Sequence, residues 1–159
     1  MADFGLEGRW GGIRSAGKAR QLVATSGRNS SAVDCRTPTN EVCYNLGLAF
    51  SMAQYGTPQP LQADAFFDRT CDADHPVACR MVGIRLQTAR NFAQATAKFD
   101  RGCTGRDGQS CLSAGRIYAW SGYAGYNPAR AQERMRSACT LGIAEGCSYR
   151  PGSPVPFRP

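Results

Sequence analysis

Along most of the chain, small and apolar residues recur at steps of three and four, the spacing that puts side chains on one face of an α-helix. In one set of segments a glycine is followed three positions later by a large apolar residue: Gly47 and Phe50, Gly83 and Leu86, Gly115 and Tyr118. In a second set an alanine is followed four positions later by a larger residue: Ala63 and Phe67, Ala95 and Phe99, Ala131 and Met135. The two sets alternate, and each has its own boundary signals. Helices of the first kind are expected to open near Thr39, His75 and Asp107, where threonine and aspartate are good caps and Pro76 suits a first turn. Helices of the second kind open after Asn91 and Asn127, with Pro128 presetting the backbone, and end at a cysteine. A glycine within a helix costs about 1 kcal/mol against alanine, so its recurrence points to a neighbouring helix crossing closely there.

The cysteines bind this pattern together. They stand at 35, 43, 71, 79, 103, 111, 139 and 147, in four couples with seven residues inside each. The couples start 36, 32 and 36 residues apart, close to the unit length of helical-hairpin arrays. Aligning the chain on them brings further columns into register, among them Gln59, Asn91 and Asn127, and Pro60, Phe92 and Pro128. The middle unit is shorter by four residues between its helices, where the others carry Tyr-Gly-Thr-Pro-Gln-Pro and Tyr-Ala-Gly-Tyr-Asn-Pro. The expected fold is all-α: a right-handed solenoid of α/α hairpins, about three and a half units, over residues 35–150. Residues 1–34 read as an extension with one short helical stretch around Ala16 to Thr25, and 151–159 as a proline-rich, polyproline-like tail.

In such an array the first cysteine of a couple ends one hairpin and the second sits inside the opening helix of the next. A short turn then brings their Cα atoms within the ~5.5–6 Å a disulfide needs. The expected bonds are Cys35–Cys43, Cys71–Cys79, Cys103–Cys111 and Cys139–Cys147, each contributing about 2–4 kcal/mol. Zinc is the competing reading, and the seven-residue gap does not resemble the two-to-four spacing of structural zinc pairs.

Composition narrows the function classes. A chain of 159 residues with 42% apolar and 19% charged residues can build a core and is not wholly disordered. No apolar stretch approaches the ~18 residues of a membrane-spanning helix. The net charge is +7, with Lys18 and Lys98 the only lysines, and the arginines are scattered from Arg9 to Arg158 without a dense stripe. That distribution speaks against nucleic acid and for acidic protein surfaces or anionic lipid headgroups as partners. The aromatic loop Trp120-Ser-Gly-Tyr123-Ala-Gly-Tyr126, together with Trp10, is the candidate partner contact; its alternative is packing within its own hairpin.

Catalysis, metal and cofactor are not expected. Ser15-Ala-Gly-Lys18 spells Ser-x-x-Lys, but the Ser-Asp-Asn and Lys-Thr-Gly elements that would support it are missing. His75, the single histidine, precedes Pro76 at a helix start, a position that reads as surface, and no Cys-x-x-Cys-His haem attachment exists. The recurring Asp68-Arg69 and Asp100-Arg101 dipeptides read as a solvated helix face with local ion pairs. The opening residues lack the basic and apolar runs of a secretory signal, and Asp3 and Glu7 do not suit a mitochondrial presequence. Combined with paired cysteines, this suggests the mitochondrial intermembrane space, or a periplasmic or secreted mature chain.

The pattern resembles the Sel-one-like repeat family, in particular its disulfide-stapled branch. Leu46-Gly47, Val82-Gly83 and Ala114-Gly115 match the family's Leu-Gly, and Ala63, Ala95 and Ala131 its second-helix alanine. Arg136-Ser-Ala-Cys-Thr-Leu-Gly-Ile-Ala-Glu-Gly-Cys147 resembles the Lys-Ala-Cys-Asp-Leu-Gly…Cys stretches of that branch, which holds secreted Helicobacter cysteine-rich proteins and a mitochondrial cytochrome c oxidase assembly factor. The likeness covers Cys35 to Cys147, about 70% of the chain. It implies a non-catalytic scaffold, an accessory or assembly subunit of a respiratory-chain complex (cytochrome c oxidase or a supercomplex) bound to other protein subunits, or else a secreted or periplasmic binding protein. The chain departs from the family at its end, where Pro151, beside Gly152, stands at the place of the expected glycine.

Overall fold

A computed structural model describes residues 35, 40–53 and 56–153. Thr39, Trp10, the Ser15 to Lys18 motif, the Ala16 to Thr25 stretch and the tail from 154 lie outside the described residues. Among the described residues the regular structure consists of seven helices and no strand: α1 (Asn40–Ser51), α2 (Pro60–Asp72), α3 (Pro76–Thr88), α4 (Phe92–Thr104), α5 (Gly108–Ala119), α6 (Pro128–Thr140) and α7 (Ala144–Ser148). All eight cysteines are oxidised, so the protein is all-helical and carries four disulfides. The chain divides into two compact units, Met1–Ala73 and Asp74–Pro159.

In the first unit α1 packs against α2. Leu46, Phe50, Ala63, Phe66 and Phe67 are buried at the seam, where the rings of Phe50 and Phe66 stack with centroids 5.7 Å apart. The glycine column explains itself here. A Cβ on Gly47 would stand 2.6 Å from Cε1 of Phe67, so α1 and α2 can approach this closely only because that side chain is missing. Pro60 opens α2 without losing a hydrogen bond, since a first-turn amide has no partner within its helix.

The second unit holds α3 to α7, each packed on its successor, with further contacts between α3 and α5 and between α4 and α6. The expected caps are in place. His75 Nδ1 accepts from the amide of Ala78 at 3.2 Å, Asn91 Oδ1 from Gln94 at 3.3 Å, Asp107 Oδ2 from Ser110 at 2.9 Å and Asn127 Oδ1 from Arg130 at 3.0 Å. Each satisfies an amide that the first helical turn leaves open. The close crossing also recurs: a Cβ on Gly83 would lie 2.6 Å from Cε1 of Phe99, and one on Gly115 3.1 Å from the Met135 side chain.

The turns that follow the alanine-bearing helices share one device. Three residues beyond Cys71, Cys103 and Cys139, the backbone enters the left-handed region at Asp74 (φ 62°), Arg106 (φ 70°) and Gly142 (φ 86°). After α4 the amide of Asp107 donates to the carbonyl of Gly102 at 3.0 Å, and after α6 the amide of Ile143 donates to that of Ala138 at 2.9 Å. These bonds satisfy carbonyls that a helix end leaves open and turn the chain into the next helix.

The last helix is short. α7 ends at Ser148, and Tyr149 is already extended (φ −64°, ψ 134°). Pro151 has no amide to donate and disfavours the α conformation at Arg150, which limits the helix to one turn and a fraction.

Candidate functional site

Three of the disulfides have the expected partners, with Cα separations of 5.5 Å (Cys35–Cys43), 4.6 Å (Cys103–Cys111) and 4.7 Å (Cys139–Cys147). Cys71 and Cys79, the remaining couple, are both disulfide-bonded. The bonds differ in exposure. Cys103 and Cys111 are buried, whereas Cys139 is half-buried and Cys147 exposed. No thiolate is left among the eight to ligate zinc, and no cluster of three or more His, Cys, Asp or Glu side chains able to hold a metal occurs among the described residues.

The aromatic loop between α5 and α6 is divided between the two roles considered for it. Phe92, the first residue of α4, meets Trp120 edge-on at 5.1 Å and Tyr123 at 6.4 Å. The Tyr123 hydroxyl lies 3.2 Å from Oγ1 of Thr96. These two half-buried rings therefore pack against the neighbouring helix pair, while Tyr126 is 47% exposed and available to a partner.

Beneath the loop lies a polar network centred on Asp100. The Tyr118 hydroxyl donates to Oδ2 at 2.8 Å, and Nε of Arg134 donates to Oδ1 at 2.6 Å. Arg130 in turn donates to the Tyr118 oxygen at 3.0 Å, its guanidinium 5.5 Å from that ring's centroid. Burial pushes the Tyr118 phenol above its ordinary value, and the bond to the Asp100 carboxylate pushes it the same way. The sequence pattern suggested local pairing of Asp100 with Arg101; the folded chain separates them. Arg101 reaches Asp74 at 2.8 Å while Asp100 serves α5 and α6, because adjacent helical residues point in different directions. The network ties three helices together, α4 through Asp100, α5 through Tyr118 and α6 through Arg130 and Arg134.

Arg136 and Thr140 stand exposed on one face of α6. Two grooves flank it, one of about 500 Å³ and one of about 580 Å³, both bordered by Gln132, Arg136 and Thr140. The first is floored by Met135 and Cys139 and closed on the far side by Tyr149 and Arg150. Arg106 borders the second. Arg106, Arg136 and Arg150 are exposed and make no ion pair among the described residues. Burial, and secondarily Tyr126, pushes the Tyr149 phenol above its ordinary value. Sequence reading named Arg136 only as the start of the repeat-like stretch to Cys147 and gave Gln132 and Arg150 no role of their own; the signal that could have found them was Pro151, which follows the short α7.

His75 is 92% buried at its helix start, with Nδ1 taken by the Ala78 amide, rather than standing on the surface as its position suggested. No described helix is long and apolar enough to cross a membrane. No family model matches the chain, and no curated protein matches it.

Proposed function

We propose that the protein is a non-catalytic scaffold built from Sel-one-like helical hairpins stacked in a right-handed solenoid. We place it as an accessory or assembly subunit of a mitochondrial respiratory-chain complex, cytochrome c oxidase or a supercomplex, on the intermembrane-space side. The observation that carries this reading is the oxidation of all eight cysteines at one fixed spacing. Disulfides in this number are kept where the compartment oxidises, and they stiffen a small array whose helices bury modest apolar area. The resemblance to the disulfide-stapled Sel-one-like branch supports the mitochondrial step. Uncommitted arginines and exposed Tyr126 support binding to protein subunits and anionic lipid headgroups rather than chemistry.

A second reading, a periplasmic or secreted binding protein, is favoured by the same oxidised cysteines. Fractionating the source cell decides between them. Migration with a large membrane complex on a native gel, with subunits of that complex recovered by co-purification, is the expected result. A freely soluble monomer outside the inner compartment would replace the first reading with the second.

A further inference from the structure

Each cysteine couple encloses seven residues, so the entropy of closing the ring is the same four times over, and the surroundings set one bond apart from another. Six cysteines are buried: Cys35, Cys43, Cys71, Cys79, Cys103 and Cys111. Cys139 is half-buried and Cys147 exposed. Both border the groove of about 500 Å³ beside α6, as do Arg136 and Arg150. These two arginines are exposed and make no ion pair among the described residues. Arg136 precedes Cys139 by three positions, which puts the guanidinium and the sulfur on one face of α6. The five residues of α7 are too few to hold a helix by themselves. Besides the Cys139–Cys147 bond, α7 is tied by an ion pair from Arg116 to Glu145 and by Gly146, whose missing Cβ would stand 2.8 Å from the Cys139 nitrogen.

We propose that Cys139–Cys147 is a reversible thiol-exchange site, at which a small anionic thiol of the glutathione class opens the bond and is carried as a mixed disulfide on Cys147. A thiolate must reach the sulfur it attacks, and Cys147 is the cysteine that offers that access. The incoming thiolate forms a new S–S bond to Sγ of Cys147. The bond to Cys139 breaks, and its electron pair leaves on Sγ of Cys139 as a thiolate. A nearby positive charge favours a thiolate, so Arg136 stabilises the leaving group. Arg150 borders the same groove and attracts the carboxylates of the incoming thiol. Attack of the Cys139 thiolate on Cys147 expels the thiol and recloses the bond. Attack of a second thiol on the first instead releases their symmetrical disulfide and leaves Cys147 as a thiolate. With the bond open, α7 keeps only its ion pair and its packing, so exchange loosens α7 while the buried couples stay closed. The site goes beyond the scaffold reading and does not depend on it.

The test treats the intact, oxidised protein with reduced glutathione and, in a parallel reaction, with cysteamine, a cationic thiol, at equal thiolate concentration. The reactions are quenched with acid and N-ethylmaleimide, and the adducts are mapped by mass spectrometry. Glutathione should appear on Cys147, with maleimide on Cys139, before any label reaches the six buried cysteines. At low salt it should react about tenfold faster than cysteamine, and the ratio should fall towards unity in about 1 M salt, which screens exposed charges. Arg136→Gln and Arg150→Gln together, exposed substitutions whose folding circular dichroism verifies, should bring the low-salt ratio close to unity. Four results each overturn the inference: labelling of a buried couple at the same rate, glutathione on Cys139 in place of Cys147, a cysteamine rate equal to that of glutathione, or a ratio unchanged in the double variant. So does the absence of any adduct.

Discussion

The α4–α5 and α6–α7 pairs carry the same cysteine spacing, an asparagine cap on the first helix and the same left-handed turn, yet they end in different states. In the earlier pair α5 extends over twelve residues, covers Phe99 with Ile117 and Tyr118 and engages Asp100, and Cys103–Cys111 is buried against Met135 and Ala138 of α6. In the later pair a five-residue helix leaves Cys147 exposed and Arg136 facing a groove. The difference teaches that shared local patterning specifies a helix pair, while the length of the second helix helps set how much of the pair water reaches.

The comparison is tested most severely by removing the two large side chains that occupy matching positions. Phe99→Ala opens a hole in a sealed cluster and should cost about 3–5 kcal/mol in denaturant unfolding. Met135→Ala should cost about 2 kcal/mol, the low end for a buried methionine, because Met135 is enclosed on one side and borders the groove beside α6 on the other. Equal losses would show that the two sites are equally enclosed.

Next come the disulfides. Replacing Cys103 and Cys111 by alanine should lower stability by about 2–4 kcal/mol, and replacing Cys139 and Cys147 by an amount at the low end of that range. Timed reduction followed by alkylation and mass mapping should label Cys139 and Cys147 before Cys103 and Cys111, since a thiol must reach the sulfur it attacks. Simultaneous labelling would erase the distinction in burial.

The glycine column gives a sharper, smaller contrast. Gly83→Ala drives a methyl into the enclosed Phe99 ring and should destabilise by about 1–3 kcal/mol. Gly115→Ala meets the flexible Met135 chain at 3.1 Å; the side chain can move aside, and the gain in helix propensity of about 1 kcal/mol brings the net close to zero. Thermal melts of the two variants check this ordering.

The smallest effect is the alkaline one. Tyr118 keeps its proton to higher pH folded than unfolded, so its contribution is present below the ordinary tyrosine value of about 10 and is lost as the pH rises through the raised folded value. Tyr118→Phe should remove that part of the pH dependence and cost about 1 kcal/mol at neutral pH. An ultraviolet titration of the folded protein should show Tyr149 also ionising late, which ties the end of α7 to the same picture.

Helix type, helix boundaries and the pairings Cys35–Cys43, Cys103–Cys111 and Cys139–Cys147 follow from local rules that residues near in sequence obey. Pro76 and Pro128 open helices, Asn91 and Asp107 cap them, and a fixed gap of seven residues brings sulfurs together across one turn. The glycine and aromatic columns were visible one by one, but their meeting, Gly47 with Phe67 and Gly83 with Phe99, depends on how neighbouring helices cross. The same holds for Asp100, whose partners lie 18 and 34 positions away and whose sequence neighbour Arg101 turns elsewhere. Trp10 and the Ser15 to Lys18 motif lie outside the described residues, so the folded arrangement bears only on Trp120, Tyr123 and Tyr126.

Sequence alone determined an all-helical chain with oxidised cysteine couples and a proline that halts the last helix. These are consequences of backbone propensity, capping and short loop closure, which act over a few residues. Which arginines face open space, which sulfur water can reach and which ring is enclosed were decided only when the helices packed. Burial is a property of everything that surrounds a side chain, and α6 shows it plainly: Met135 is enclosed while Arg136, the next residue, is exposed.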